Sequence, residues 1–189
     1  MTSRESELLS VTLQLLQQHG YEGLTIDDVV ATARASKATV YRRWPTKAEL
    51  VLAAVVEGMK DTAVAPETGS LRTDLLEIGD KVTKQVREHA ATMRAVLTET
   101  TRNPALNEAM QRQIFDQRKK VITRVLHQAV ERGEISPEAI HDDLWDLLPG
   151  YLVFRAVIQN RPPTRRTVVA LVDDVILPSL ARKACGKRY

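Results

Sequence analysis

Apolar residues recur every three or four positions along most of this 189-residue chain, and no stretch alternates cleanly between apolar and polar. That period belongs to helices that bury one face, so the chain is limited to an all-α fold. Composition agrees where it bears on the point. Aromatic residues, which favour strands, make up only 4%, and the chain is rich in Ala, Leu, Glu, Gln, Arg and Lys.

The pattern predicts about nine helices. Leu8, Leu9, Val11, Leu13, Leu15 and Leu16 mark a first helix from about Ser3 to His19, stopped by Gly20. Thr25 caps a second that runs to about Ala33, with Ile26, Val29, Val30 and Ala33 inward. Its hydroxyl can accept from the Asp28 amide, and Asp28 can reach back. After Arg34-Ala35, Ser36 caps a short third helix through Trp44. Thr46 caps a fourth carrying Leu50, Val51, Ala54 and Val55.

Thr62 to Ser70, with Pro66 and Gly69, reads as a linker between residues 1–61 and 71–185. Beyond it, Leu71, Leu75, Ile78, Val82 and Val86 form one stripe, and Met93, Val96 and Leu97 a shorter helix ending before Asn103-Pro104. Leu106 to Ala129 keep helical spacing up to Gly133. Pro137 suits the first turn of a helix bearing Leu144, Trp145, Leu148, Tyr151, Leu152 and Val157. Pro149 inside it frees backbone groups and bends it. The last helix carries Val168 to Ile176, before Pro178.

The net charge of +3 decides little, but its distribution is informative. Residues 1–57 hold six Lys/Arg and seven Asp/Glu, yet residues 34–47 contain five of those bases and no acid. Charge focused in this way is the mark of a nucleic-acid contact or of a solvated helix face. Two short helices with a tight turn, the second basic, outline a helix-turn-helix. Its second helix must enter a major groove roughly 12 Å wide. Ala38 allows close approach there, Thr39 offers a hydroxyl and a methyl, Lys37 and Arg42 can donate to guanine or phosphate, and Val40 must point inward.

Gly20-Tyr21, Leu24-Thr25-Ile26 and the run Ala35-Ser36-Lys37-Ala38-Thr39-Val40-Tyr41-Arg42-Arg43-Trp44-Pro45-Thr46-Lys47-Ala48-Glu49-Leu50 resemble the N-terminal signature of the TetR family over about residues 4–55. The resemblance implies an N-terminal three-helix domain that binds operator DNA, and a C-terminal helical domain for ligand binding and dimerisation. It makes Thr39 and Tyr41 contacts to the DNA backbone and Lys47 a phosphate ligand beside a helix N-terminus. It places Lys37, Ala38 and Arg42 where members read sequence, Arg43 where phosphate is often met, and Trp44 as a core anchor. Which of Arg42 and Arg43 reads bases stays open, as does whether Thr25 meets phosphate or only caps. Arg34 stands where most members have Gly, so the turn either avoids the left-handed region or accepts strain. Asp27 and Asp28 are read as capping residues.

The same resemblance implies a homodimer through the last two helices, facing a near-palindromic operator with half-sites ~34 Å or more apart. It implies release by a small-molecule effector, in a pocket for which Met93, Leu97, Met110, Phe115, Trp145, Leu148 and Tyr151 are candidates, each equally readable as core. Repression is the expected mode.

Other classes fit poorly. GxGxxG, Walker, HExxH and GxSxG motifs are absent, so no enzyme is expected. Glu138-Ala-Ile-His141 has di-iron spacing but lacks its second copy. No cofactor and no metal site are expected. The rival reading is a helical interaction protein, or an activator without ligand-controlled release. The single Cys185 fits a reducing cytoplasm, and no signal peptide or membrane partner is expected.

Overall fold

The computed structural model describes residues 2–59, 64–141 and 144–181, so Cys185 and the bounds at 61 and 185 lie outside the described residues. Among the described residues there are eight continuous helical runs and no strand. The helices are α1 (Ser3–Gly23), α2 (Ile26–Thr32), α3 (Lys37–Arg43), α4 (Lys47–Gly58), α5 (Leu71–Thr100), α6 (Pro104–Met110), α7 (Asp116–Glu131), α8 (Leu144–Val153), α9 (Arg165–Leu171) and α10 (Leu177–Ala181). Wider turns at Gln111–Phe115, Phe154–Ile158 and Val172–Ile176 join α6 to α7, extend α8, and join α9 to α10. None of the described helices is long and apolar enough to cross a membrane.

The chain forms two compact units. One comprises residues 1–61 and 89–115, the other 62–88 and 116–189. In the first, α1 packs on α4 through Leu8, Leu9, Leu16, Leu50 and Val51, all nearly inaccessible. Val29, Val40, Leu24 and Leu106 complete that core. In the second, Leu71, Leu75, Ile78, Val82 and Val86 of α5 are buried, as their spacing predicts. A bidentate Arg72–Asp173 pair, at 2.7 and 2.8 Å, ties α5 to the turn after α9. Gly79 lies against Val168 so closely that a Cβ on it would stand 2.3 Å from a Val168 methyl.

Three local expectations change. The stripe to Val86 and the segment around Met93 form one helix, α5. The predicted break survives only as a departure from helical angles at His89, φ −126° and ψ 15°. Pro137 opens a separate single turn, Pro137–Ala139, rather than α8. Gly20 does leave the helical region, at φ 69°, but one further turn follows and closes on Leu24, whose amide donates to the Gly20 carbonyl.

Candidate nucleic-acid interface

The recognition element is built by caps. Thr25 Oγ1 accepts from the Asp28 amide at 3.1 Å and starts α2. The Asp28 carboxylate takes the Thr25 hydroxyl at 2.6 Å instead of the Thr25 amide, a variation on the predicted reciprocal cap. Ser36 accepts from the Thr39 amide at 3.1 Å and starts α3. Thr46 and Glu49 exchange hydrogen bonds and start α4. Each cap satisfies a helix amide that would otherwise have no acceptor.

Arg34 sits at φ 50°, so the turn accepts the strain. The Arg34 amide donates to Ala31 O at 3.3 Å and the Ala35 amide to Val30 O at 2.9 Å, which is the Schellman closure of α2. Arg4 then donates through Nη2 to the carbonyls of Ala33 and Arg34, both at 2.7 Å. The turn between the two helices is therefore held from α1.

α3 shows one face. Val40 is fully buried, which contributes roughly 1.5–3 kcal/mol and fixes the helix rotation. Trp44 packs against the same core, as expected of an anchor. Ser36, Lys37, Ala38, Thr39, Tyr41, Arg42 and Arg43 are exposed, Tyr41 to 46% although it is aromatic. Lys47 opens α4, its ammonium 4.6 Å above the Tyr21 ring and 3.4 Å from the Glu22 carbonyl. Burial first, and the Glu99 and Glu22 carboxylates next, push the Tyr21 phenol upward.

Two of the predicted contacts have acidic neighbours that the sequence did not flag. Lys37 Nζ lies 2.6 Å from Asp27 Oδ1, and this hydrogen bond with its charge raises the Lys37 pKa. Asp27 is thus an ion-pair partner and not the capping residue expected. Arg43 Nε lies 3.4 Å from Glu5 Oε1. Glu5 is held below the usual carboxylate range, chiefly by its hydrogen bond from the Thr2 backbone and further by Arg43. Arg4, Asp27 and Glu5 carried no signal at helical spacing, because Arg4 reaches across 29 and 30 residues.

The candidate pocket residues separate. Met93, Leu97, Met110 and Phe115 belong to the first unit, with Met110 buried in its core and Leu97 and Phe115 packed against it. Trp145, Leu148 and Tyr151 belong to the second. There Leu148 is 1% exposed and Tyr151 41%, with Arg155 donating to the Tyr151 hydroxyl at 3.2 Å.

A capped pair of short helices, the second presenting small, hydroxyl and cationic side chains from a buried anchor, defines a helix-turn-helix DNA-binding protein. Comparison with known proteins agrees. Residues 8–54 match the model for bacterial regulatory proteins of the tetR family, and residues 65–175 match the tetracyclin repressor-like C-terminal domain. The uncharacterized HTH-type transcriptional regulator Rv1556 of Mycobacterium tuberculosis is 65% identical over 95% of this chain and 89% of its own length. The DNA-binding transcriptional repressor TetR of Mycobacteroides abscessus is 32% identical over 93% of each. The crystal structure of the TetR family transcription regulator SCO0332 superposes with a TM-score of 0.82 at 27% identity, covering 96% of this chain and 100% of that one. The chain belongs to the TetR family. It is a transcriptional regulator, and its relatives are regulators and not enzymes.

Proposed function

We propose that this regulator is a repressor that binds a near-palindromic operator as a homodimer and leaves it when an effector binds. The exposed face of α3 carries the reading. Lys37, Ala38 and Arg42 are set to read bases, while Ser36, Thr39, Tyr41, Arg43, Lys47, Arg34 and Thr25 meet the backbone. Repression draws support from the relative named as a repressor.

The dimer reading has support in the second unit. Leu147, Tyr151, Phe154 and Ile158 follow one another at four, three and four residues and are 37%, 41%, 46% and 67% exposed. Val175, in the run joining α9 to α10, is 49% exposed. Apolar side chains at such spacing make a stripe that water does not favour, and a second copy of the same helices would cover it. Tyr151 fits this face better than a pocket wall. The effector reading comes from family likeness. We assign residues 1–61 to DNA and 71–185 to ligand and dimer, as the sequence predicts, although residues 89–115 group with the first compact unit and not with the rest of 71–185. A cytoplasmic location goes with the role.

The test is selection of bound sequences from a random DNA pool, repeated with Lys37→Ala, Thr39→Ala, Tyr41→Ala and Lys47→Ala. A palindromic motif that the variants lose is the expected result. Retention that merely fades with salt, without a motif, would remove the operator reading.

A further inference from the structure

Two acids stand in the first turn of α2, and they turn opposite ways. Asp28 takes the Thr25 hydroxyl at 2.6 Å and so serves the cap of its own helix. Asp27 reaches across to α3, where its Oδ1 lies 2.6 Å from the Nζ of Lys37, the first residue of that helix. The Asp27 and Lys37 side chains are 69% and 56% exposed, so the pair has room to turn and adds little to stability. Val40 is fully buried and fixes the rotation of α3. The residues that open a recognition helix are those that meet base edges, so a carboxylate stands where DNA bases are read.

DNA offers a carboxylate few partners. The phosphates repel it, and the DNA backbone carries no donor. In the major groove the donors are the amino groups of cytosine N4 and adenine N6. When Lys37 turns to DNA, Asp27 either finds one of these or is left beside the phosphates with water alone. The neighbouring atoms decide between the two bases. In a G·C pair, guanine N7 and O6 accept side by side, and cytosine N4 donates next to O6. O6 and N4 are hydrogen-bonded to each other, hence about 2.9 Å apart. The Lys37 and Asp27 atoms, 2.6 Å apart, match that spacing with donor over acceptor and acceptor over donor. In an A·T pair, a carboxylate on adenine N6 faces the N7 lone pair, and an ammonium on thymine O4 meets the C5 methyl group.

We propose that Asp27 and Lys37 together read one G·C pair in each half-site, Lys37 donating to guanine O6 and N7 and Asp27 accepting from cytosine N4. The two side chains give up their contact with each other for two base contacts. At any other base pair the exchange leaves Asp27 without a donor or against an acceptor, and Lys37 keeps its protein partner instead. Asp27 is thereby a specificity-determining residue, although it lies in α2 and has the sign of charge that DNA repels. The inference rests on the reading of α3 as the operator-binding helix, and it names one base pair that the helix selects.

The test uses the full chain. Bound sequences are selected from a random DNA pool with the parent protein, Asp27→Ala and Asp27→Asn. Fluorescence anisotropy then gives affinities for the parent's motif and for duplexes with the G·C pair changed to A·T, T·A or C·G. The parent is expected to fix G·C at one position of each half-site. Asp27→Ala keeps the rest of the motif and loses about tenfold of the discrimination at that position. Asp27→Asn admits A·T there, since an amide that both donates and accepts suits adenine N6 and N7. Both variants melt within about 1–2 °C of the parent, because an exposed pair adds little to stability. A larger drop in melting temperature, with every position of the motif weakened alike, makes the pair structural and overturns the proposal. A motif that Asp27→Ala leaves unchanged overturns it too, and a lost preference for A·T in place of G·C overturns the cytosine contact. Failure of the reading beneath looks different: a parent protein that selects no motif removes operator binding, and this inference with it.

Discussion

Lys37 Nζ lies 2.6 Å from Asp27 Oδ1, so the first cation of the recognition helix is already neutralised by a carboxylate from α2. Both side chains are more than half exposed, which makes the pair weak in stability terms. Its consequence falls on DNA, because Lys37 must exchange this partner for a phosphate or base. Asp27→Asn frees that charge. Affinity for operator-free DNA rises, and the slope of log affinity against log salt steepens by about one. Fluorescence anisotropy across a salt series measures both, and an unchanged slope would contradict this role for Asp27.

Arg34 carries positive φ where α7, at its own end, uses Gly133 at φ 73°. The two ends close with the same hydrogen bonds, since Glu134 and Gly133 donate to Ala129 and Val130 just as Ala35 and Arg34 donate to Val30 and Ala31. Only the residue in the left-handed region differs. Arg34→Gly relieves that strain and stabilises the fold by about 0.5–1 kcal/mol, while DNA affinity drops for loss of a cation. Thermal melts and anisotropy on one variant show the opposed effects.

Arg4 bonds the carbonyls of that turn from α1. Arg4→Ala lowers the melting temperature by about 2–4 °C. In Arg4→Lys a single ammonium replaces the fork and recovers only part of the loss. Full recovery with Lys would show that charge alone matters there.

Gly79 has no room for a methyl group, and Val168 cannot rotate away easily because its β-branch fixes χ1. Gly79→Ala forces α5 from α9 and costs about 1–3 kcal/mol. Urea unfolding checks this, and a neutral result would show that the helices separate freely.

Asp173 is held below its ordinary carboxyl value of 3.8, first by the Arg72 hydrogen bond and further by the Arg72 charge. A carboxyl with a lowered folded pKa adds stability above its unfolded value, and that stability is lost as pH falls through the folded one. Asp173→Asn therefore melts about 1–2 °C below the parent at pH 7, and the gap starts to narrow as pH falls below 3.8, the ordinary value. A gap that does not narrow at all as pH falls below 3.8 would assign the effect to packing.

Local chemistry was legible along the chain. Thr25, Ser36 and Thr46 each start the helix their side chains suggest, because a cap needs only an amide two or three residues on. The inward stripe of α5 and the inward Val40 follow from a period of 3.6 residues. The outward placement of Thr39, Tyr41 and Arg42 follows from the same period once Val40 is inward, whereas Lys37, three residues before Val40, is exposed at the first position of α3. The break expected between Val86 and Met93 stands as a kink at His89, where no Gly or Pro is present to end the helix outright.

Tertiary contact alone decided the rest. Asp27 meets Lys37 across a turn, Glu5 meets Arg43 from another helix, and Arg4 closes a loop 29 residues away. Periodicity fixes which side of a helix a residue occupies. It carries no information on which other helix arrives there, and that arrival sets the charge and hydration each side chain finally meets.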